Sequence, residues 1–192
     1  MSQVAGTIAD PQVRHRGTIG GSLAHGDPAS DLPAAMLITE AEVTLHGSEG
    51  QRTVAAKDLF EDYLTTAVGT DEVLTEIRLE ALDGWGHGYQ KFNRRSEDWA
   101  MVAVGAVVKV SGGVCEEVRI GLTNVASVPL RATAAEQALR GQAASAENIA
   151  RAAQQAVEGL TPAGDLNAST DYKRHLVSVL CDRALQAAVQ PG

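Results

Sequence analysis

No stretch of this chain comes near the roughly 18 consecutive apolar residues of a membrane-spanning helix, so no transmembrane segment is expected. Met1-Ser2-Gln3 has neither the basic start nor the apolar core of a secretory leader, and a cytoplasmic protein follows as the expectation. Cysteine is scarce. Cys115 and Cys181 stand far apart and outside any Cys-x-x-Cys or Cys/His spacing, which leaves no disulfide framework or structural zinc site and makes both small buried apolar side chains. An excess of positive charge is missing too: 16 Lys and Arg face 24 Asp and Glu, a formal net charge of -8. That balance excludes a sequence-independent nucleic-acid binder, which needs a basic face. Any phosphate bound here must be held by local donors against an unfavourable overall field.

What the chain does have is enough apolar residue, 44% of 192, to bury a real core, and one stretch dense in chemistry. Thr18 to Asp31 gathers Gly20, Gly21, Gly26, Ser22, His25, Asp27 and Asp31. The glycine pair admits positive φ and a close approach to the backbone. Asp31-Leu-Pro-Ala-Ala-Met-Leu-Ile38 then opens like a helix, with Asp31 as N-cap and Pro33 in the first turn. A glycine loop feeding a helix start gathers free N–H groups and the positive end of the dipole, which suits an anion. The other reading is a glycine-rich connection turning at Asp27-Pro28. Arg14 and Arg16 precede the loop and either supply local positive charge or sit in a solvated turn. A lone His25 near Asp27 and Asp31 is too little for a metal site.

Along the rest of the chain, Ala41–His46 and Gln51–Val54 alternate with period two around Gly47-Ser-Glu-Gly50 and predict a hairpin. Ala56 to Phe60 reads as a helical turn and Glu72–Leu79 as a strand. Asp83-Gly-Trp-Gly-His-Gly88 is a glycine-rich break and marks a domain boundary. Tyr89–Arg95, Met101–Val110 and Val114–Leu122 predict consecutive antiparallel strands, the last two joined at Ser111-Gly-Gly113. Thr133-Ala-Ala-Glu136 has the form of a capping box and Gly141 that of a helix stop. Ser145 caps a helix running to Glu158. Ser169 or Thr170 caps a last helix with Tyr172, Leu176, Val179 and Leu180 on one side. A three-stranded antiparallel sheet covered on one face by helices is the economical α+β arrangement.

Two stretches together resemble one family: Asp10-Pro-Gln-Val-Arg-His-Arg-Gly-Thr-Ile-Gly-Gly-Ser-Leu-Ala-His-Gly-Asp-Pro-Ala-Ser-Asp31, and Lys91-Phe-Asn-Arg-Arg-Ser-Glu-Asp-Trp-Ala100. The chain is similar over essentially its whole length to the FAD-binding medium subunit of molybdenum hydroxylases, the group of aerobic carbon monoxide dehydrogenase and xanthine dehydrogenase. The resemblance implies an α+β fold in which residues 1–83 are the second lobe of a PCMH-type FAD-binding domain and 88–190 a flavoprotein C-terminal α+β domain. It places Thr18, Ile19, Gly20, Gly21 and Ser22 against the FAD pyrophosphate, Asp31 at a further cofactor contact, Leu74 near the isoalloxazine ring, and Lys91 at or beside another contact. No general acid, base or nucleophile is implied from this chain. The function implied is electron transfer in an oxidoreductase complex. Its molybdopterin-containing large subunit and 2Fe-2S small subunit are the implied partners, with electrons passing from the iron-sulfur clusters through flavin to the final acceptor. The family also places an earlier Ala-Gly-Gly-x-Ser loop in an N-terminal lobe, and this chain begins almost at the second motif. A truncated or split version is therefore expected, with a flavin-free docking or assembly module as the alternative role.

Overall fold

The apolar run Val102–Ser111 forms a strand buried on both faces over most of its length, and the fold follows from covering both of them. The computed structural model describes residues 1–8 and 10–190. Four helices come first: α1 (Ser2–Gly6), α2 (Pro11–Arg16), α3 (Ile19–His25) and α4 (Asp31–Ile38). The hairpin β1 (Glu42–Gly47) and β2 (Gly50–Ala55) follows, then α5 (Ala56–Leu59), the small hairpin β3 (Phe60–Asp62) and β4 (Thr65–Thr66), and β5 (Val73–Arg78). The second half comprises β6 (Gly86–Phe92), β7 (Val102–Ser111), β8 (Val114–Thr123), β9 (Leu130–Arg131), α6 (Thr133–Leu139), α7 (Ala146–Gln155) and α8 (Thr170–Val189).

In the first half β1 is central, paired antiparallel with β2 and β5. In the second half the order is β6-β7-β8-β9, all antiparallel. The three expected strands are present, with β9 as a two-residue addition. Residues two apart share a face of a strand. Val102, Val104, Ala106 and Val108 therefore pack, with Ile120 and Leu122, against Ala135, Leu139, Ile149, Val177, Leu180 and Leu185 of α6–α8 in the largest core cluster. The opposite face is covered by α4, an element of the first half. Ala103 and Tyr89 meet Leu32 and Ala35 there. The register partners Gly105 and Gly121 let α4 lie close, since a Cβ on Gly121 would come within 2.5 Å of the Ala34 carbonyl oxygen. The other side of α4 sends Met36 and Leu37 into a separate core with Val43, Leu45 and Leu59. Every residue of α4 is buried, as a helix caught between two sheets must be.

Several expected boundaries move. Strand β6 begins at Gly86, inside the predicted break, and ends at Phe92, because Gly86 and Gly88 lie under α8 where no side chain fits. Helix α7 keeps its Ser145 cap but ends at Gln155, and Ser169, not Thr170, caps α8 through the Tyr172 N–H. The buried face of α8 contains Lys173 and Val177, while Tyr172 is exposed. Lys173 is accepted because Asp165 pairs with it at 2.9 Å. The capping box is absent. Ala132 is the N-cap of α6 without a side-chain bond, and Glu136 turns into the sheet, accepting from the Ile120 N–H at 2.8 Å and from the Arg131 guanidinium. Both cysteines are free and buried, and burial pushes the Cys181 thiol up to about 12. Among the described residues no helix is long and apolar enough to cross a membrane.

One surface pair is expected to make the first half sensitive to acid. Arg52 on β2 donates to Glu72 at 2.6 and 2.7 Å, and the Gly69 N–H donates to the same carboxylate at 2.7 Å. These donors lower Glu72 from its ordinary 4.5 to about 2, with the Arg52 hydrogen bond as the largest cause. A depressed carboxylate contributes stability that is complete above its unfolded value and is lost as pH falls through the folded one. The melting-temperature gap between the wild type and Glu72→Gln should therefore be constant above about pH 5 and close between 4.5 and 2. Thermal melts across that range check it, and a gap independent of pH would refute it.

Candidate functional site

The Thr18–Ser22 segment is a helix start, not a loop. Thr18 has extended backbone, and its Oγ1 accepts the Gly21 N–H at 2.9 Å, a regular N-cap of α3. Gly20 and Gly21 are helical, so the positive φ expected at the pair is absent there and appears instead at Gly26. Gly26 ends α3 with φ of 67°, and a Cβ on it would stand 2.7 Å from Thr66 Cγ2 on the β3–β4 hairpin. The Ile19 and Gly20 N–H groups, at the first positions of the helix, have no intrahelical acceptor. This helix start reaches the surface: Ile19 is 43% exposed, and Gly20 and Ser22 are half-buried.

Leu74 of β5, half-buried, puts its Cδ2 3.7 Å from the position a Gly20 Cβ would take. The structure thus brings an apolar side chain against the first turn of α3, joining residues more than fifty positions apart. Such a surface suits a ligand that has both an anionic linkage and a flat apolar part. Arg14, His15 and Arg16 form the last turn of α2, with Arg14 donating to the Gly6 carbonyl at 3.3 Å. Cations at that end interact favourably with the negative end of the α2 dipole and stand immediately before the Thr18 cap.

Asp31 and Lys91 are brought to each other. Ser30 is the N-cap of α4 and Asp31 its first residue, which corrects the expected cap. The Asp31 carboxylate is buried and each of its oxygens is engaged once: Oδ2 accepts from Lys91 Nζ at 2.8 Å and Oδ1 from the Tyr89 hydroxyl at 2.6 Å. Lys91 also donates to the Thr7 carbonyl at 3.1 Å, the C-cap of α1. Burial first, then the neighbouring Asp31 charge, raises the Tyr89 phenol far above its ordinary range, so it remains a donor. One N–H of Lys91 and further lone pairs on the carboxylate are left for another partner. The loop to α3 turns where expected: Asp27 Oδ1 accepts the Ala29 N–H at 2.8 Å and its carbonyl accepts the Ser30 N–H.

Tyr89 is the site residue that the sequence reading did not single out. Its signal was period two: in a strand through Tyr89 and Lys91 both side chains share a face, so whatever meets the lysine also meets the phenol. Among the described residues, no hydrogen bond joins the Asp31–Tyr89–Lys91 cluster directly to α3. The connection runs through the loop from Gly26 to Ser30.

Comparison with known proteins agrees with both halves. Residues 87–188 match the family described as the CO dehydrogenase flavoprotein C-terminal domain, and residues 1–80 match the FAD binding domain in molybdopterin dehydrogenase. The chain is 41% identical to the carbon monoxide dehydrogenase medium chain of Hydrogenophaga pseudoflava over 98% of its own length and 66% of that protein. It is 40% identical to the corresponding chain of Afipia carboxidovorans, over 94% of itself and 63% of the relative. Among solved structures, carbon monoxide dehydrogenase from Hydrogenophaga pseudoflava superposes with a TM-score of 0.94 at 45% identity, covering 97% of this chain and 66% of the other. Quinoline 2-oxidoreductase from Pseudomonas putida 86 gives 0.91 at 31% identity, covering 97% and 65%. The chain spans about two thirds of the length of these relatives.

Proposed function

Because the chain belongs to the FAD-binding medium subunits of the carbon monoxide dehydrogenase and xanthine dehydrogenase family, we propose that it carries electrons through FAD within a molybdenum hydroxylase complex. Its FAD-binding domain marks it as the flavoprotein part of an oxidoreductase. In the proposed complex a molybdopterin-containing large subunit and a 2Fe-2S small subunit are the partners, in the cytoplasm. FAD, when bound, would supply the redox chemistry, and this chain would position it between the iron-sulfur side and the final acceptor.

The observation that carries this reading is the joining of the capped N-terminus of α3 to Leu74. Thr18 holds the first turn in place, the Ile19 and Gly20 amides and the Ser22 hydroxyl donate to the pyrophosphate, and the bare Gly21 leaves the Thr18 cap undisturbed. Leu74 supplies an apolar wall for the ring. Asp31 and Lys91 contribute as a neutralised pair, through the remaining N–H and lone pairs, so that they add hydrogen bonds and little net charge. The chain is proposed to divide into units 1–83 and 88–190, with α4 of the first covering a face of the second.

The test is titration with FAD, followed by flavin absorbance and fluorescence, on the full chain and two variants. In Gly21→Val the new Cβ would stand 2.9 Å from Thr18 Oγ1 and dislodge the cap. Losing one hydrogen bond to a charged group costs about 1.5–3 kcal/mol, so Kd should rise at least about tenfold. His25→Ala, at the exposed far end of α3, should change Kd less than about twofold. Equal effects of the two, or no saturable flavin binding by the wild type, would overturn the assignment.

A further inference from the structure

Helix α4 is clamped at both ends by the C-terminal sheet. At its start, Tyr89 and Lys91 of β6 hold the two oxygens of Asp31. At its end, Arg119 of β8 donates to the Ile38 carbonyl at 3.4 Å, bonds Glu80, and stacks its guanidinium 4.6 Å from the centre of the Trp85 ring. Arg131 reaches the Leu37 carbonyl, and Glu40 lies 3.5 and 3.6 Å from the two arginines.

The two clamps differ in what they lead to. The end held by Arg119 continues through Thr39 and Glu40 into β1, away from α3. The end held by Tyr89 continues backwards into Gly26–Ser30, a connection with no slack. Its Asp27 turn is closed by its own hydrogen bonds, and the Asn124 N–H of the C-terminal half donates to the Pro28 carbonyl at 2.9 Å. At its far side Gly26, wedged against Thr66, terminates α3. A displacement of Asp31 is therefore passed to α3 over a few rigid residues. Lys91 alone is an insufficient anchor, since its ammonium is a point charge on a flexible stem and is shared with the Thr7 carbonyl. The phenol adds direction: it approaches the other carboxylate oxygen from a rigid ring and fixes the plane of the carboxylate.

We propose that Tyr89 is a positioning residue for the flavin segment, acting through Asp31 to set where α3 presents its free amides. The proposal rests on the reading that FAD binds at Thr18–Ser22. Buried and held protonated, Tyr89 keeps donating across the physiological pH range.

The experiment compares Tyr89→Phe, which removes only the hydroxyl, with Arg119→Lys at the other end of the same helix, both in the full chain. Melting temperature, FAD Kd well below both melting points, and hydrogen exchange of the Leu23–His25 amides without FAD are measured. Tyr89→Phe should raise Kd about tenfold and speed exchange in α3. Arg119→Lys should lower the melting temperature at least as much while leaving Kd within about twofold and α3 exchange unchanged. A Kd for Tyr89→Phe within twofold of wild type, with α3 exchange unchanged, would overturn the proposal. So would Arg119→Lys weakening FAD equally, since that marks a general loss of stability. If the wild type binds no FAD but Tyr89→Phe still loosens α3, the flavin reading fails and the mechanical link stands.

Discussion

Gly88→Val is expected to remove the cooperative melting of the C-terminal sheet or lower its midpoint by about 10 °C or more. Gly88 lies on β6 beneath α8, and a Cβ there would sit inside the van der Waals shell of the Ala184 carbonyl, 3.0 Å from its carbon and 3.0 Å from the Ala187 Cβ. The obstacle is backbone, which cannot rotate aside as a side chain does. Relief requires α8 to lift from the sheet, separating Leu180, Cys181, Ala184, Leu185 and Ala188 from the strands they pack on. Overpacking a core costs about 1–3 kcal/mol when side chains can adjust, and rigid backbone puts this case at or above the upper end. For a chain of this size each kcal/mol shifts the midpoint by about 2–4 °C. Gly6→Ala, where a Cβ meets nothing within 4 Å, is the control and should melt with the wild type. Circular-dichroism melts decide it: a drop of less than about 3 °C for Gly88→Val would mean that α8 slides at little cost.

Glu136→Leu is expected to cost about 3 kcal/mol, because it strips the acceptor from a buried strand N–H and the main ion-pair partner from a half-buried guanidinium. The carboxylate is buried and takes the Ile120 N–H and two nitrogens of Arg131. Leucine fills much of the volume but leaves the Ile120 N–H without an acceptor and the Arg131 guanidinium with only the Leu37 carbonyl and, at 3.6 Å, Glu40, and the penalty is the desolvation of those groups. Glu136→Gln separates this role from helix capping. Glutamine serves a capping box as well as glutamate, so a capping role predicts no loss, whereas here glutamine keeps the bond to the Ile120 N–H and loses the ion pair. Urea unfolding should rank wild type above Glu136→Gln above Glu136→Leu. Wild type and Glu136→Gln with coincident midpoints would show that the ion pair is unimportant.

These two residues also show why parts of the fold were illegible before the structure. The alternation that marks β1, β2 and β5, the glycine turn before β8 and the serine caps of α7 and α8 are local signals, and each lies within two residues of where the sequence puts it, with β5 one residue inside its predicted limits at each end. Glu136 sits at the right spacing for a capping box, but the half-buried Arg131 and a strand N–H in need of an acceptor outbid the local bond, and nothing near Thr133 announces the Ile120 N–H. The start of β6 was missed because glycines read as a break. They are in the strand because α8, about a hundred residues later, leaves no room for side chains. The β3–β4 hairpin, too short for periodicity to register, went unread.

By itself the sequence determined the α+β class, the order of most elements, the buried inert cysteines and the Thr18–Asp31 stretch as the place where chemistry gathers. It could do so because turns, caps and alternating burial depend on neighbours in the chain. Tertiary structure decided the rest: that Gly20 and Gly21 are helical with the left-handed turn at Gly26, that Leu74 lies against Gly20, and that Asp31 is held by Tyr89 and Lys91. It also decided that α4 covers the second face of the C-terminal sheet, its eight residues buried throughout. The physical reason is the same in each case. An acceptor, an apolar wall or a close backbone approach is a relation between distant segments, and its energy appears when packing excludes water from between them.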